Sequence, residues 1–184
     1  MQNVRDKKKI VIIGGGYLGT RIAVEFDKLA EVTLIERNPV FFHKISSLRS
    51  AVRPDWTNSS FMPYDNLLKY GKIIHDSATG VNSKLKIVEL ANGISIHYDI
   101  LIIATGSDYE APAKFAGKAV SEAYLAMKQY QLTIQRAKNI LLIGAGPVGI
   151  EFAGEIRVIY PEKKITILNR SGQILKQFPL SIQV

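Results

Sequence analysis

Gly14, Gly16 and Gly19 follow the β-branched run Lys9–Ile13 with the spacing G-x-G-x-x-G, a spacing suited to cradling a pyrophosphate. Where a strand feeds a helix, the first glycine makes the tight turn and the second lets backbone approach the phosphates. The third lets helix pack on strand, and the positive helix N-terminus then faces the anion. A carboxylate about 20 residues on, at the end of the next strand, accepts hydrogen bonds from a ribose diol. Glu36 closes the run VTLIE in that place, with Arg37 behind it, while Gly15, Tyr17 and Leu18 complete the loop and first turn. The pattern recurs at Gly144, Gly146 and Gly149 after the run Ile140–Ile143. Pro147 stands there at the first helical turn, where a missing N–H costs nothing, with Val148 beside it. The strand that follows ends Leu168-Asn169-Arg170, so no carboxylate waits for a 2′-hydroxyl. Arg170 would meet a 2′-phosphate or simply face water, so NADH and NADPH both fit, with a lean to NADH because one cation is a poor substitute for an arginine cluster. Two dinucleotide cradles in one chain imply electron transfer between two cofactors.

The elements that must position these residues alternate in type. Lys9–Ile13 reads as a strand, Tyr17–Ala30 as a helix with its apolar face on Leu18, Ile22, Ala23, Phe26 and Leu29, and Val32–Ile35 as a strand, which makes one βαβ unit. A stretch with Pro39, Pro54 and Pro63 reads as loop-rich. Short segments near 72–75, 85–90 and 94–98, with Asn92-Gly93 as a hairpin turn, predict a small antiparallel insert. Asp99–Ala104 reads as a buried strand and Ser121–Ala137 as a helix. Ile140–Ile143, Pro147–Tyr160 and Lys164–Leu168 then repeat strand, helix and strand. The fold class expected is α/β: a Rossmann-like domain over residues 1–115 carrying the insert, then the first βαβ of a second Rossmann-like domain over 116–184.

Composition limits the chemistry. The 184 residues include no cysteine, which excludes a dithiol redox centre and a thiolate metal site. The three histidines, His43, His75 and His97, are too scattered to suggest a metal site. No apolar run approaches the roughly 20 residues of a membrane span, and a cytoplasmic address is expected. Lys and Arg total 24 against 16 Asp and Glu, a formal charge of +8. That excess would suit an anionic ligand or peripheral contact with an anionic membrane surface; no nucleic-acid-binding module is present.

Several segments resemble one family. Tyr98–Gly106 (YDILIIATG) is similar to the Ala-Thr-Gly strand, here Ala104, Thr105 and Gly106, of the two-dinucleotide-binding flavoproteins of the pyridine nucleotide-disulfide oxidoreductase-like superfamily. Phe42–Val52 (FHKISSLRSAV), Lys114-Phe115, Gly149-Ile150-Glu151, Gly154-Glu155-Ile156 and Tyr160–Lys163 (YPEK) resemble the apoptosis-inducing-factor-like branch. That branch includes ferroptosis suppressor proteins and type II NADH dehydrogenases, and the likeness is to its N-terminal half. The resemblance implies FAD in the first cradle, with Lys44, Arg49 and Ala78 among its contacts, and NAD(P)H in the second. It implies Glu151 and Lys114 at the reacting centre and a quinone-like acceptor. A ferredoxin or rubredoxin reductase, or a non-catalytic nucleotide-binding piece, are the alternatives; the missing cysteine pair speaks against a disulfide reductase. A flavin accepting hydride becomes anionic, so a fixed cation such as Arg49 or Lys44 would stabilise it. Glu151 and Glu155 share a helix face at i and i+4, and Glu155 is expected to face solvent.

Overall fold

The computed structural model describes residues 7–107, 109, 111–113, 120–179 and 181–182; Lys114 and Phe115 lie outside them. The described chain forms two compact units, one from the residues up to Phe41 with Pro63–Ser107, the other from Phe42–Met62 with the residues from Tyr109 onward. Compactness thus groups the residues differently from a division at 115/116, because Phe42–Met62 packs with the second half of the chain.

In the first unit, β1 (Lys9–Ile13), β2 (Glu31–Ile35), β5 (Lys72–Ile74) and β9 (Ile100–Ile103) form a parallel sheet in the order β5-β2-β1-β9. Alternation along β1 sends Ile10 and Ile12 to one face, where they pack with Ala23, Val32 and Leu34, and Val11 to the other, with Ile35, Val88 and Leu90. Burial on both faces is why β1 and β2 read as unbroken apolar runs; β9, expected to be a buried strand, instead leaves Ile100 47% and Ile103 65% exposed. Helix α1 (Tyr17–Phe26) covers the first face through Ala23 and Ile22. It stops short of the expected Ala30, so Leu29 is 67% exposed, and Leu18 in its first turn is 59% exposed. The second face is covered by the antiparallel insert β6 (Ala78–Asn82), β7 (Ile87–Leu90) and β8 (Ser95–His97). The expected Asn92-Gly93 turn joins β7 to β8: Gly93 has φ 85° and the Asn92 side chain accepts from the Ile94 N–H at 2.9 Å. Another expectation is corrected here: residues 72–74 extend the parallel sheet beside β2 instead of joining the insert, whose third strand is Ala78–Asn82. The loop-rich 40–63 stretch also carries short elements.

That stretch contains β3 (Val40–Phe42) paired with β4 (Phe61–Pro63), helix α2 (Lys44–Ser50), a 3-10 turn at Pro54–Trp56 and the short α3 (Thr57–Ser60). In the second unit, α2 is anchored by hydroxyls. Ser60 Oγ lies 2.7 Å from Ser46 Oγ and 2.6 Å from Ser50 Oγ, and all three residues are buried. The Gln131 amide, on α4 (Val120–Arg136), donates to the Ser50 carbonyl at 2.6 Å and the Thr57 hydroxyl at 2.8 Å. Polar side chains such as these hide a helix from an apolar-periodicity reading. Apolar packing adds Ala51 with Met127, and Val52 with Ile134 and Ile156. The parallel pair β10 (Asn139–Ile143) and β11 (Lys164–Leu168) flanks α5 (Pro147–Ile159), the second βαβ. Its apolar side chains are far less covered than those of β1: Ile143 is 81% exposed and Val158 75%.

Candidate dinucleotide sites

The first cradle divides its glycines by task. Gly14 turns at φ 104° and donates its N–H to the Ile35 carbonyl at 2.8 Å; a Cβ there would collide with the Ala104 carbonyl. A Cβ on Gly19 would collide with the Gly14 carbonyl, so the third glycine is what lets α1 sit against the turn. Gly16 is different, since a Cβ there would meet nothing within 4 Å. Helix α1 starts from it with extended backbone (φ −75°, ψ −167°), no side-chain cap and no acid in its first turn. An exposed opening at the positive end of a helix is a fit for a phosphate.

Glu36 lies under this opening. One carboxylate oxygen accepts the Gly15 N–H at 2.7 Å; the other accepts from Asn38 N–H and Asn38 Nδ2, both at 2.8 Å. A carboxylate has about four lone-pair sites, so capacity remains for a ribose hydroxyl. The Tyr64 hydroxyl, 6% exposed, donates to the Gly15 carbonyl at 2.7 Å. Burial, then the Glu36 charge, raise its pKa well above the usual phenol range, so it stays a donor. Asn38, Tyr64 and His75, whose Nδ1 lies 3.2 Å from the Glu36 carbonyl oxygen, escape sequence reading, because each comes from a loop or strand end with no periodic pattern. Tyr17 and Leu18 are exposed on the first turn, Tyr17 edge-on to Phe41 at 5.1 Å between ring centroids. Thr105 and Gly106 are exposed after β9, Arg37 is exposed beyond Glu36, and Ala78 opens β6 against the insert-side core.

The second cradle repeats the backbone. Gly144 has φ 110° and donates to the Leu168 carbonyl at 2.7 Å, and a Cβ on Gly149 would collide with the Gly144 carbonyl. Gly146 is open and starts α5 with φ −78° and ψ 179°, again without side-chain cap or acid, with Pro147 and Val148 in the first turn. Its surroundings differ. Asn169 Nδ2 donates to the Ser171 carbonyl (3.0 Å), Ser171 Oγ (2.9 Å) and the Gln173 carbonyl (2.7 Å), organising the loop after β11. Leu175 N–H in turn donates to the Ala145 carbonyl at 3.0 Å. Arg170 is exposed.

Elsewhere in the second unit, Arg49 on α2 meets Glu155 on α5. Nε donates to Glu155 Oε1 at 2.9 Å, and the guanidinium carbon lies 4.7 Å from the centroid of the Trp56 ring. Glu155, expected to face solvent, is therefore only 15% exposed at its side chain; the guanidinium draws it in. The hydrogen bond to Glu155, its charge and that of Glu151 raise the Arg49 pKa. Glu151 is exposed one turn earlier, and Lys44, half-buried, opens α2. Among the described residues no cluster of His, Asp and Glu could hold a metal ion.

Two successive parallel units with glycine cradles coincide with matches to family models described as pyridine nucleotide-disulphide oxidoreductase, over residues 9–47 and 62–184. The chain belongs to this family. Its members are oxidoreductases that bind FAD and NAD(P)H. The chain is 36% identical over 178 residues to apoptosis-inducing factor homolog B of Dictyostelium discoideum, covering 92% of this chain and 46% of that protein. It is 29% identical over 174 residues to ferroptosis suppressor protein 1 of Xenopus laevis, covering 91% and 45%. It thus spans about half the length of the curated relatives it matches. The fold is similar to that of part of NDH2 from Plasmodium falciparum, solved in complex with NADH, at a TM-score of 0.70, 21% identity, and coverage of 96% of this chain and 44% of that one.

Proposed function

We propose that the Gly14–Gly19 cradle with Glu36 holds FAD, that the Gly144–Gly149 cradle holds NAD(P)H, and that the two serve an NAD(P)H-oxidising flavoenzyme passing electrons to a quinone-like acceptor. The observation that carries this reading is the contrast at the two strand ends. Glu36 presents acceptor oxygens beneath the first cradle, whereas Asn169 spends its amide N–H groups on its own loop. A ribose diol thus has a carboxylate partner at one site and none at the other.

When bound, FAD supplies the isoalloxazine that takes up a hydride. The chain's own contributions are positional and electrostatic. The open backbone at Gly16 and Gly146 leaves room for phosphates at two helix N-termini. Arg49 and Lys44 carry the positive charge assigned to the reduced cofactor, with Glu155 holding the Arg49 guanidinium in one orientation. Glu151 and Lys114 are the residues assigned to the nicotinamide end. The quinone-like acceptor rests on the resemblance of Phe42–Val52 and on the absence of cysteine.

The test is the visible absorption spectrum of the purified chain, before and after addition of FAD. A protein-bound flavin spectrum supports the first cradle's assignment; no flavin and no uptake would leave a nucleotide-binding piece. With flavin in place, faster NADH oxidation with a soluble quinone than with ferredoxin supports the acceptor, and the reverse order overturns it.

A further inference from the structure

In the second unit, the Pro54 turn, α4 and the residue that closes α5 border a cleft of about 240 Å³, lined by Pro54, Lys128, Gln131, Leu132, Gln135 and Tyr160. The four α4 residues fall at i, i+3, i+4 and i+7, so one stripe of that helix forms the floor. Tyr160 caps α5 at the end opposite Gly146, roughly 20 Å along the helix from the second cradle. The cleft therefore lies away from the phosphate end of that cradle.

One polar group in this cleft is fixed and unspent. Gln131 is 8% exposed, and its amide nitrogen donates to the Ser50 carbonyl at 2.6 Å and the Thr57 hydroxyl at 2.8 Å. Both N–H groups are thus used, and the amide cannot be turned round, because a carbonyl only accepts. Among the described residues no donor meets Gln131 Oε1, and no buried side-chain oxygen is left unpaired; Oε1 therefore opens on the cleft as an acceptor. Lys128 stands exposed at the rim, its Nζ 4.8 Å from the centroid of the Tyr124 ring. No acid is among the lining residues, and Asp55, beside Pro54, is paired with Arg53 at 3.1 Å. Pro54, Leu132 and Tyr160 supply apolar wall. Tyr160 is held in place by Lys163, 6% exposed, whose Nζ lies 4.5 Å from the ring centroid and donates to the Gln135 and Ala137 carbonyls at 2.8 and 2.7 Å. Walls set in advance lower the ordering cost of binding.

We propose that this cleft binds a small hydroxylated aromatic carboxylate: a single ring lying against Leu132, Pro54 and Tyr160, its hydroxyl donating to Gln131 Oε1 and its carboxylate beside the Lys128 ammonium. The volume falls below the roughly 300–1,000 Å³ of drug-sized ligand sites, which admits one ring and excludes a nucleotide. The unspent oxygen requires a donor on the ligand, and the one lining charge requires an anion. A single ammonium suits a carboxylate; the cleft has neither the arginines nor the helix-end N–H groups of a phosphate site. Lys128 and Gln131 are one turn apart on the same face, so a single ring compound reaches both. Occupancy also bears on α2, because the amide that meets the ligand is the one holding the Ser50 carbonyl next to Arg49.

Isothermal calorimetry of 4-hydroxybenzoate with the 184-residue chain tests this. A Kd near or below about 1 mM is expected for a ligand of this size. Benzoate, which lacks the hydroxyl, should bind at least about fivefold more weakly. Lys128→Gln should weaken 4-hydroxybenzoate at least about threefold and change the uncharged 4-hydroxybenzamide less than about twofold. Leu132→Glu puts a carboxylate into the cleft and should abolish binding, whereas Lys138→Gln, outside it, should leave the affinity unchanged. In the wild-type chain the side-chain amide signals of Gln131 and Gln135 should move in magnetic resonance spectra as 4-hydroxybenzoate is added, a readout that needs no variant to fold. No binding up to about 10 mM, equal affinity for benzoate, full affinity in Leu132→Glu or unmoved Gln131 signals would each overturn the proposal.

Discussion

The two cradles share a backbone and differ in what surrounds it. The first glycines adopt φ 104° and 110°, the second start their helices at φ −75° and −78°, and the third each sit against the first glycine's carbonyl. The carbonyl of the residue between is satisfied in both, by a side-chain hydroxyl of Tyr64 at Gly15 and by the Leu175 N–H at Ala145. The turn is therefore built in the same way in both cradles, while the strand end and the loop after it differ. Glu36 faces the cradle with acceptors and Asn169 faces its loop with donors.

The largest effect expected separates glycines within one cradle. Gly19→Ala and Gly149→Ala force a Cβ into backbone and should each destabilise their unit by about 3 kcal/mol or more in denaturant unfolding. Gly16→Ala, with open space around it, should change stability by less than about 1 kcal/mol yet weaken FAD binding. Equal melting of the Gly16 and Gly19 variants would break the division of tasks. Next comes Glu36→Gln. Loss of charge-assisted hydrogen bonds worth about 1.5–3 kcal/mol should reduce FAD affinity roughly tenfold to a hundredfold by fluorescence titration. Unchanged affinity would refute the ribose assignment. Asn169→Asp sharpens the contrast from the other side, since a carboxylate cannot donate to Ser171 and Gln173 and would repel a 2′-phosphate. NADP⁺ binding should fall more than NAD⁺ binding in calorimetry.

Smaller effects follow from hydrogen bonds around the first cradle and its scaffold. Tyr64→Phe leaves the Gly15 carbonyl without its hydroxyl and should cost about 1–2 kcal/mol. Asp27 gives a pH signature to the first unit. Burial opposes its ionisation, but backbone N–H bonds from Gly71, Lys69 and Tyr70, with Lys7, more than offset this and lower its pKa. Its contribution is therefore full above the unfolded carboxylate pKa of about 3.9 and lost as pH falls through the lower folded value. Asp27→Asn should flatten that part of the acid-unfolding curve, and an unaltered curve would exclude Asp27 as its source. Smallest is Arg170→Ala, which should reduce NADPH binding by less than about fivefold and spare NADH; equal losses with both would return Arg170 to solvent.

Strands β1 and β2, both cradles and the strand-end Glu36 were legible because strands buried on both faces leave continuous apolar runs and the turn tolerates only glycine at key positions. The 42–62 region was not. Helix α2 is fixed by Ser46, Ser50 and Ser60 hydroxyls and by Gln131 from far along the chain, so no local periodicity announces it. The same long-range dependence hid Tyr64, whose partner Gly15 is 49 residues away. It also hid Glu155, whose guanidinium partner is 106 residues away. Residues 72–74 misled for another reason: a three-residue strand carries too few side chains to reveal which sheet it joins.

The interleaving of the two units also sets a timetable for the chain as it is made. Lys9 on β1 waits for Asp99, 90 residues later, and Ser50 at the end of α2 waits for Gln131, 81 residues later. At ribosomal rates of about 5–20 residues per second, each wait lasts roughly 4 to 18 seconds. During it β1 has Ile10, Val11 and Ile12 without one neighbouring strand, and α2 its hydroxyls without their amide. A synonymous change that slows translation between β2 and β9 should therefore lower soluble yield more than one placed after β11, because the pause falls while β1 still lacks a neighbouring strand.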